Sequence, residues 1–335
     1  MGKPYMLTAE EQSVIKKVLI TPVGMSFIKN NIIKKMKPNY DLFFTNGILI
    51  KKTELIDKLK DKDACILGSE TIDNDILKYC PNLKIISRFG SGYDQINLIS
   101  LKKHRVALAI SKGITNTAVS RHTFALILSL THKIKDHINS SKLNKWDRHL
   151  NLSPETTSIG IIGMGAIGQQ LAKFLDNFGY KVYFFNRSNK EFEFKKNYYQ
   201  CDSIEDLIYK SDLISLHANY NRKNHNMISA NRIKLMSGKY FVNTSRGDLV
   251  DENFLYESLK NNLLIGAAID VFKNEPASGT SSKIRSLANV ISSSHTAAYD
   301  LFSIKKVGVS AASNIKAYFE NSAIEKDNLI YEPSN

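Results

Sequence analysis

Ile159-Gly160-Ile161-Ile162-Gly163-Met164-Gly165-Ala166-Ile167-Gly168 is the stretch that decides the fold. Its first four residues form an apolar run suited to a short buried strand. Three glycines follow in G-x-G-x-x-G spacing, and Gln169 to Phe178 then carries a helical apolar pattern. Each glycine has a separate physical task. Gly163 lets the chain turn sharply. Gly165, lacking a side chain, leaves room for a pyrophosphate. Gly168 lets the helix pack closely on the strand. The free N–H groups and positive dipole end of that helix face the phosphates. A second strand, Lys181 to Phe185, completes the start of a dinucleotide-binding unit, in which residues Gly163, Met164, Gly165, Ala166, Ile167 and Gly168 contact the cofactor.

Upstream, Val18–Thr21, Leu42–Thr45, Ala64–Gly68, Leu83–Ser87 and Val106–Ile110 read as strands, with helices at Ile28–Met36, Thr53–Leu59 and Asn74–Tyr79. This alternation implies a parallel sheet. Asn116 to Lys135 reads as one long helix. Downstream, strands are expected at Leu213–His217, Tyr240–Asn243, Ile265–Asp270 and Val290–Ser292. Helices are expected at Glu205–Tyr209, Ala230–Met236, Glu252–Asn261 and Val307–Glu320. The late position of the glycine turn implies a nucleotide domain inserted at residues 116–297, with residues 1–115 and 298–335 forming the other domain. The fold class is therefore α/β, with two Rossmann-like, doubly wound parallel-sheet domains.

A chain of 335 residues is large enough for two full cores. Its 43% hydrophobic and 23% charged residues are ordinary for a globular protein. Met1 to Gln12 has no apolar signal core, and the longest apolar run, Phe124 to Leu130, is too short to span a membrane. Cys65, Cys80 and Cys201 form no metal motif and read as core residues in a reducing cytoplasm, so no metal is expected. The net charge of +14 is spread over dispersed lysines, with no block of five basic residues. That distribution does not suit a nucleic-acid surface, although it attracts anionic substrates and cofactors.

Three segments place a reactive polar group directly after a strand, where open α/β sheets bind ligands. They are Asn243-Thr244-Ser245-Arg246-Gly247, Asp270-Val271-Phe272-Lys273-Asn274-Glu275-Pro276 and Ser294-His295-Thr296-Ala297-Ala298. Together they support reduction of a 2-oxo acid. A nicotinamide supplies the hydride. His295 supplies the proton. Glu275, bonded to the other ring nitrogen, orients the imidazole and favours its charged form. Arg246 offers a planar fork for the carboxylate and carbonyl oxygens.

These motifs, with Asp212–Ala218 (Asp-Leu-Ile-Ser-Leu-His-Ala) and Val242–Asp251 (Val-Asn-Thr-Ser-Arg-Gly-Asp-Leu-Val-Asp), resemble the D-isomer-specific 2-hydroxyacid dehydrogenase family over almost the whole chain, from about Val18 to Phe319. The resemblance implies two domains with the active site in the cleft between them. It places Arg246, Glu275 and His295 on the family's catalytic Arg, Glu and His, and Asp270 on the acid that holds the nicotinamide amide. It likens Phe89-Gly90-Ser91-Gly92-Tyr93-Asp94 to the substrate loop, with the amides at Ser91 and Gly92 binding the carboxylate. It brings Thr244, Ser245 and His217 to the cofactor. It further implies a homodimer built around Thr115 to Trp146. Trp146, the only tryptophan, is either a core residue or an interface anchor.

Departures from the family pattern carry information. Where the family has an acid that holds the adenosine ribose, this chain has Asn186, followed by Arg187 and Ser188. No carboxylate opposes a 2′-phosphate there and a guanidinium is available, so NADP is favoured over NAD. Arg121, in Ser120-Arg121-His122, stands where the family commonly has Glu, and either strengthens anion binding or alters an interface. Ser294 replaces the usual Pro before the histidine. Gly68-Ser69-Glu70-Thr71 stands where phosphoglycerate enzymes tend to carry Arg-Ser, and a Glu there would repel a substrate phosphate. A small 2-oxo or D-2-hydroxy acid is the expected substrate. The alternatives are a phosphite- or formate-type dehydrogenase, against which Glu275 argues for formate, and a non-enzymatic nucleotide-sensing corepressor.

Overall fold

The computed structural model describes residues 15–45, 50–187 and 197–333. They fall into two compact units, one drawn from Met1–Thr115 and Tyr299–Asn335, the other spanning Asn116–Ala298. Ala297 stays with the second unit because its amide binds the Asp270 carboxylate there, while Asp300 caps a helix of the first.

In the first unit, β1 (Lys16–Ile20), β2 (Tyr40–Phe44), β3 (Ala64–Leu67), β4 (Ile85–Arg88) and β5 (Ala107–Ala109) are parallel. Their alternation assigns side chains to opposite faces of the sheet. Val18, Ile20, Ala64, Ile66 and Ile85 join one buried cluster; Leu19, Cys65, Leu67 and Ile86 join another. Both faces are covered, as a parallel sheet requires. Helix Leu301–Phe319 covers the first of these faces through Ile304, Ala311, Ala312, Ile315 and Phe319. It begins well before Val307, where the sequence pattern placed its start, because Asp300 accepts a hydrogen bond from the Ser303 amide and caps it.

Among its described residues, the second unit contains seven parallel strands: β6 (Ser158–Ile162), β7 (Lys181–Phe185), β8 (Tyr198–Gln200), β9 (Leu213–Leu216), β10 (Tyr240–Asn243), β11 (Gly266–Ile269) and β12 (Val290–Ser292). Their spatial order is β12-β11-β10-β9-β6-β7-β8, which reverses direction of growth at β6. Ligands bind such sheets at the carboxyl ends beside the switch point. A final strand, β13 (Leu329–Tyr331), joins the first unit's sheet antiparallel to β5 and completes the order β13-β5-β4-β3-β1-β2.

One long helix was expected over Asn116–Lys135, and two shorter ones are present. The first, Asn116–Thr131, stops before Lys133, whose backbone is left-handed at φ 49°, and Ile134–Lys142 follows. Lys135 anchors the second helix by donating to the carbonyls of Leu287, Ala288 and Val290 at 3.2, 2.7 and 2.6 Å. Burial pushes its ammonium below the usual lysine value. The three cysteines are buried and unpaired. Among the described residues, no helix is long and apolar enough to cross a membrane.

Candidate active site

The residues singled out in the second unit lie in strand order along one edge of its sheet. Asn186 and Arg187 follow β7, the glycine turn follows β6, and His217 follows β9. Thr244–Arg246 follow β10, Asp270–Glu275 follow β11, and Ser293–Ala297 follow β12. Because all seven strands are parallel, this is the carboxyl edge throughout.

The glycine turn has the shape its spacing implies. Gly163 has φ +104°, and a Cβ there would lie 2.7 Å from the carbonyl oxygen of His217. A Cβ on Gly168 would lie 2.2 Å from the Gly163 oxygen, so the helix Ala166–Asn177 sits directly against the turn. Around Gly165, at that helix's N-cap, a Cβ would meet nothing within 4 Å. The turn is thus packed tightly on its protein side and open where a phosphate must approach, so the residues present fit a dinucleotide. Met164 is buried, Ile167 half-buried and Ala166 exposed. Asn186 accepts a long bond, 3.3 Å, from the Met164 amide and ties the end of β7 to the turn. Arg187 is exposed beside it. Ser188 lies outside the described residues.

His217 Nε2 is 2.8 Å from Ser215 Oγ, and burial pushes its imidazole down to about 4, so it is neutral near pH 7. The β10 loop is held from within. Thr244 Oγ1 pairs with Thr123 Oγ1 at 2.9 Å, and Ser245 Oγ donates to the Leu216 carbonyl at 2.6 Å. Both hydroxyls position the loop rather than reach outward. Arg246 is half-buried, with Nη1 donating to the Ser245 carbonyl at 2.7 Å.

Glu275 and His295 come together across the ends of β11 and β12. Glu275 Oε2 is 2.6 Å from His295 Nδ1, and its Oε1 accepts from the Phe272 amide at 2.9 Å. The pair therefore fixes the ring and leaves Nε2 as its outward nitrogen. The His295 side chain is 46% exposed, which a group that must meet a substrate requires. Its backbone is left-handed at φ 54°, an uncommon state for a residue with a Cβ. Asp270 is fully buried, and its carboxylate accepts from the amides of Thr296 and Ala297 at 2.8 and 3.0 Å.

Two further residues shape this cluster without having been given a role from the sequence. Gly247 brings the β10 and β11 loops together, since a Cβ there would fall 2.1 Å from Lys273 N and Phe272 C. Glu252, 7% exposed, accepts from the Lys273 amide and Ser281 Oγ, both at 2.6 Å, and braces the loop that carries Glu275. Gly directly after Arg246 was the available signal for the first. Glu252 resembles any acid in a helix's first turn.

In the first unit, the β4 loop turns at Gly90, with φ +132°. Among the described residues, the amides of Ser91 and Gly92 have no hydrogen-bond acceptor, and both residues have accessible surface. Two adjacent amides in that state suit a carboxylate.

Residues 124–297 match the family model for the D-isomer specific 2-hydroxyacid dehydrogenase NAD binding domain. The chain is 30% identical to the hydroxypyruvate reductase of Thermotoga maritima over 271 residues, covering 79% of this chain and 88% of that protein. It is 29% identical to the glyoxylate reductase of Thermofilum pendens over 276 residues, covering 79% and 81%. The structure of the Aquifex aeolicus D-lactate dehydrogenase complexed with NAD and lactic acid superposes with a TM-score of 0.83 at 26% identity, covering 95% of this chain and all of that one. The chain belongs to the D-isomer-specific 2-hydroxyacid dehydrogenase family of NAD(P)-dependent oxidoreductases.

Proposed function

We propose that the protein reduces a small 2-oxo acid to the D-2-hydroxy acid with NADPH as the preferred donor, and catalyses the reverse oxidation. The observation that carries this reading is the 2.6 Å contact between Glu275 and His295, with the second ring nitrogen of an exposed imidazole facing outward. The dinucleotide is held by the open face over Gly165 and the N-terminus of helix Ala166–Asn177, and its nicotinamide supplies the hydride. His295 delivers a proton from Nε2 to the substrate oxygen that becomes the hydroxyl. Glu275 holds the ring by Nδ1 throughout. Arg246 binds the carboxylate and the reacting oxygen with its planar fork; in the first unit, the adjacent amides of Ser91 and Gly92 are suited to bind a carboxylate. On this reading residues 116–297 form the NAD(P)-binding domain and residues 1–115 with 298–335 the substrate domain.

The NADP preference rests on the exposed Arg187 and on the absence of a carboxylate at Asn186. A homodimer is supported by the run of exposed apolar side chains Ile134, Ile138, Leu143, Trp146 and Leu150, of which the last two are 89% and 91% exposed. The buried, unpaired cysteines support a cytoplasmic setting. The test is turnover of glyoxylate, hydroxypyruvate and pyruvate with NADPH and with NADH. At least one acid should be reduced, faster at low cofactor with NADPH. Reduction of none would remove the enzymatic reading in favour of nucleotide sensing.

A further inference from the structure

Three consecutive amides converge on Asp270. The His295 N–H donates to its carbonyl at 2.8 Å, the Thr296 N–H to Oδ1 at 2.8 Å and the Ala297 N–H to Oδ2 at 3.0 Å. A fourth donor, Ser293 Oγ, lies 2.6 Å from Oδ1. Behind Ser293 stands His122, on the helix Asn116–Thr131. Its Nε2 is 3.1 Å from Ser293 Oγ and 3.7 Å from Asp270 Oδ1.

The proton inventory orders this chain. A serine hydroxyl has one hydrogen. The short contact to a buried carboxylate that already accepts two amides takes it. Towards His122, Ser293 then only accepts, so Nε2 of His122 carries a proton and donates. The bonds run His122 Nε2–H to Ser293 Oγ–H to Asp270 Oδ1. Asp270, wholly buried, has no solvent to satisfy it and holds its rotamer by these donors. The loop it grips is the one whose histidine sits in left-handed backbone, a state that persists only when neighbouring contacts over-determine it.

We infer that His122 and Ser293 are positioning residues for His295, acting through the Asp270 carboxylate. This rests on the reading of His295 as proton donor. Neither residue needs to touch substrate. They fix the Asp270 carboxylate, which fixes the Thr296 and Ala297 amides directly after the proton donor, while Glu275 fixes the ring. Misplacement of a catalytic group by about an ångström is enough to lower turnover.

The test uses the full chain and four variants. Ser293→Ala and His122→Phe remove a donor; Ser293→Thr and His122→Gln keep one. Hydrogen exchange of the Thr296 and Ala297 amides, the two that the carboxylate holds, is measured without ligand, alongside kcat, KM and NADPH affinity. The two donor-removing variants should speed exchange of these amides by about tenfold or more, as expected for loss of a charge-assisted bond. They should lower kcat at least about tenfold with NADPH affinity within about twofold, and the two conservative variants should stay near wild type. Unchanged exchange in Ser293→Ala and His122→Phe overturns the proposal, whether or not activity falls. Accelerated exchange with unchanged kcat overturns it as well. If wild-type protein reduces no 2-oxo acid, the catalytic reading of His295 and this role with it are both overturned, and the exchange data then show only a structural clamp. If His295→Gln abolishes turnover while Ser293→Ala does not, the catalytic reading stands and this one falls.

Discussion

Gly165 and Gly168 separate a packing requirement from a binding requirement, three residues apart on one turn. In Gly168→Ala the new methyl falls 2.2 Å from the Gly163 oxygen, 3.2 Å from its carbon and 3.3 Å from Ile161 Cγ2. Ordinary carbon–oxygen contact begins about 1 Å further out, and the nearest atoms are backbone, which cannot rotate away. The helix Ala166–Asn177 must lift from the turn. Overpacking of this kind costs about 1–3 kcal/mol. The helix-propensity gain of Ala over Gly, up to about 1 kcal/mol, offsets only part. The net loss should lower the second unit's melting temperature by about 2–8 °C. Lifting also carries the N-terminal amides out of position, so cofactor affinity falls too. In Gly165→Ala the methyl meets nothing within 4 Å, and the backbone there, φ −71° and ψ −172°, is ordinary. Its only folding cost is a poorer N-cap, about 0.5–1 kcal/mol. Yet the methyl occupies the space over the helix N-terminus, so NADPH affinity should fall at least about tenfold, a loss of about 1.4 kcal/mol. Thermal unfolding and NADPH fluorescence titration read the two effects separately. Wild-type affinity in Gly165→Ala would refute the placement of the pyrophosphate. A wild-type melting temperature in Gly168→Ala would refute the packing argument.

Arg187→Ala should weaken NADPH by about tenfold to a hundredfold, the loss of a charge-assisted phosphate contact, and leave NADH nearly unchanged; an equal loss for both cofactors would show that the guanidinium points elsewhere. His217 has a folded-state value of about 4 against 6.5 ordinarily, so between those pH values the unfolded chain binds more protons. Its contribution is full above about pH 6.5 and is lost as pH falls towards 4, by up to about 3 kcal/mol given its residual exposure. Urea unfolding of His217→Asn should therefore lose less stability over that window than wild type, and parallel curves would contradict the assignment. Trp146→Lys should shift the protein from dimer towards monomer in light scattering at micromolar concentration, whereas a monomeric wild type would remove the interface altogether.

Much of this was legible because the signals are local. The glycine turn, the buried β-branched runs and the polar residues that end β10, β11 and β12 all follow from spacing along the chain. Where reading failed, the cause was tertiary. Nothing near Lys133 announces a left-handed residue, and Lys135 is anchored by carbonyls more than 150 positions away. Strand β8, only Tyr198–Gln200, gains its identity from pairing with β7. Within the site, Glu275 and His295 were identifiable by type, since few groups orient an imidazole. Glu252, Ser293 and His122 were not, because each acts by donating to or accepting from a distant backbone or carboxylate. Asp270 was legible as an acid after a strand and, by resemblance, as a holder of the nicotinamide amide. Its hold on three successive amides of the His295 loop emerges from the fold.

The central claim is that His295 supplies the proton when a 2-oxo acid is reduced. Single-turnover oxidation of bound NADPH by the best of glyoxylate, hydroxypyruvate and pyruvate tests it most directly, in wild type and in His295→Gln, with NADPH affinity measured on the same samples. The account predicts a rate about 10²–10⁴-fold lower in His295→Gln at unchanged affinity. A near-wild-type rate in His295→Gln would contradict it.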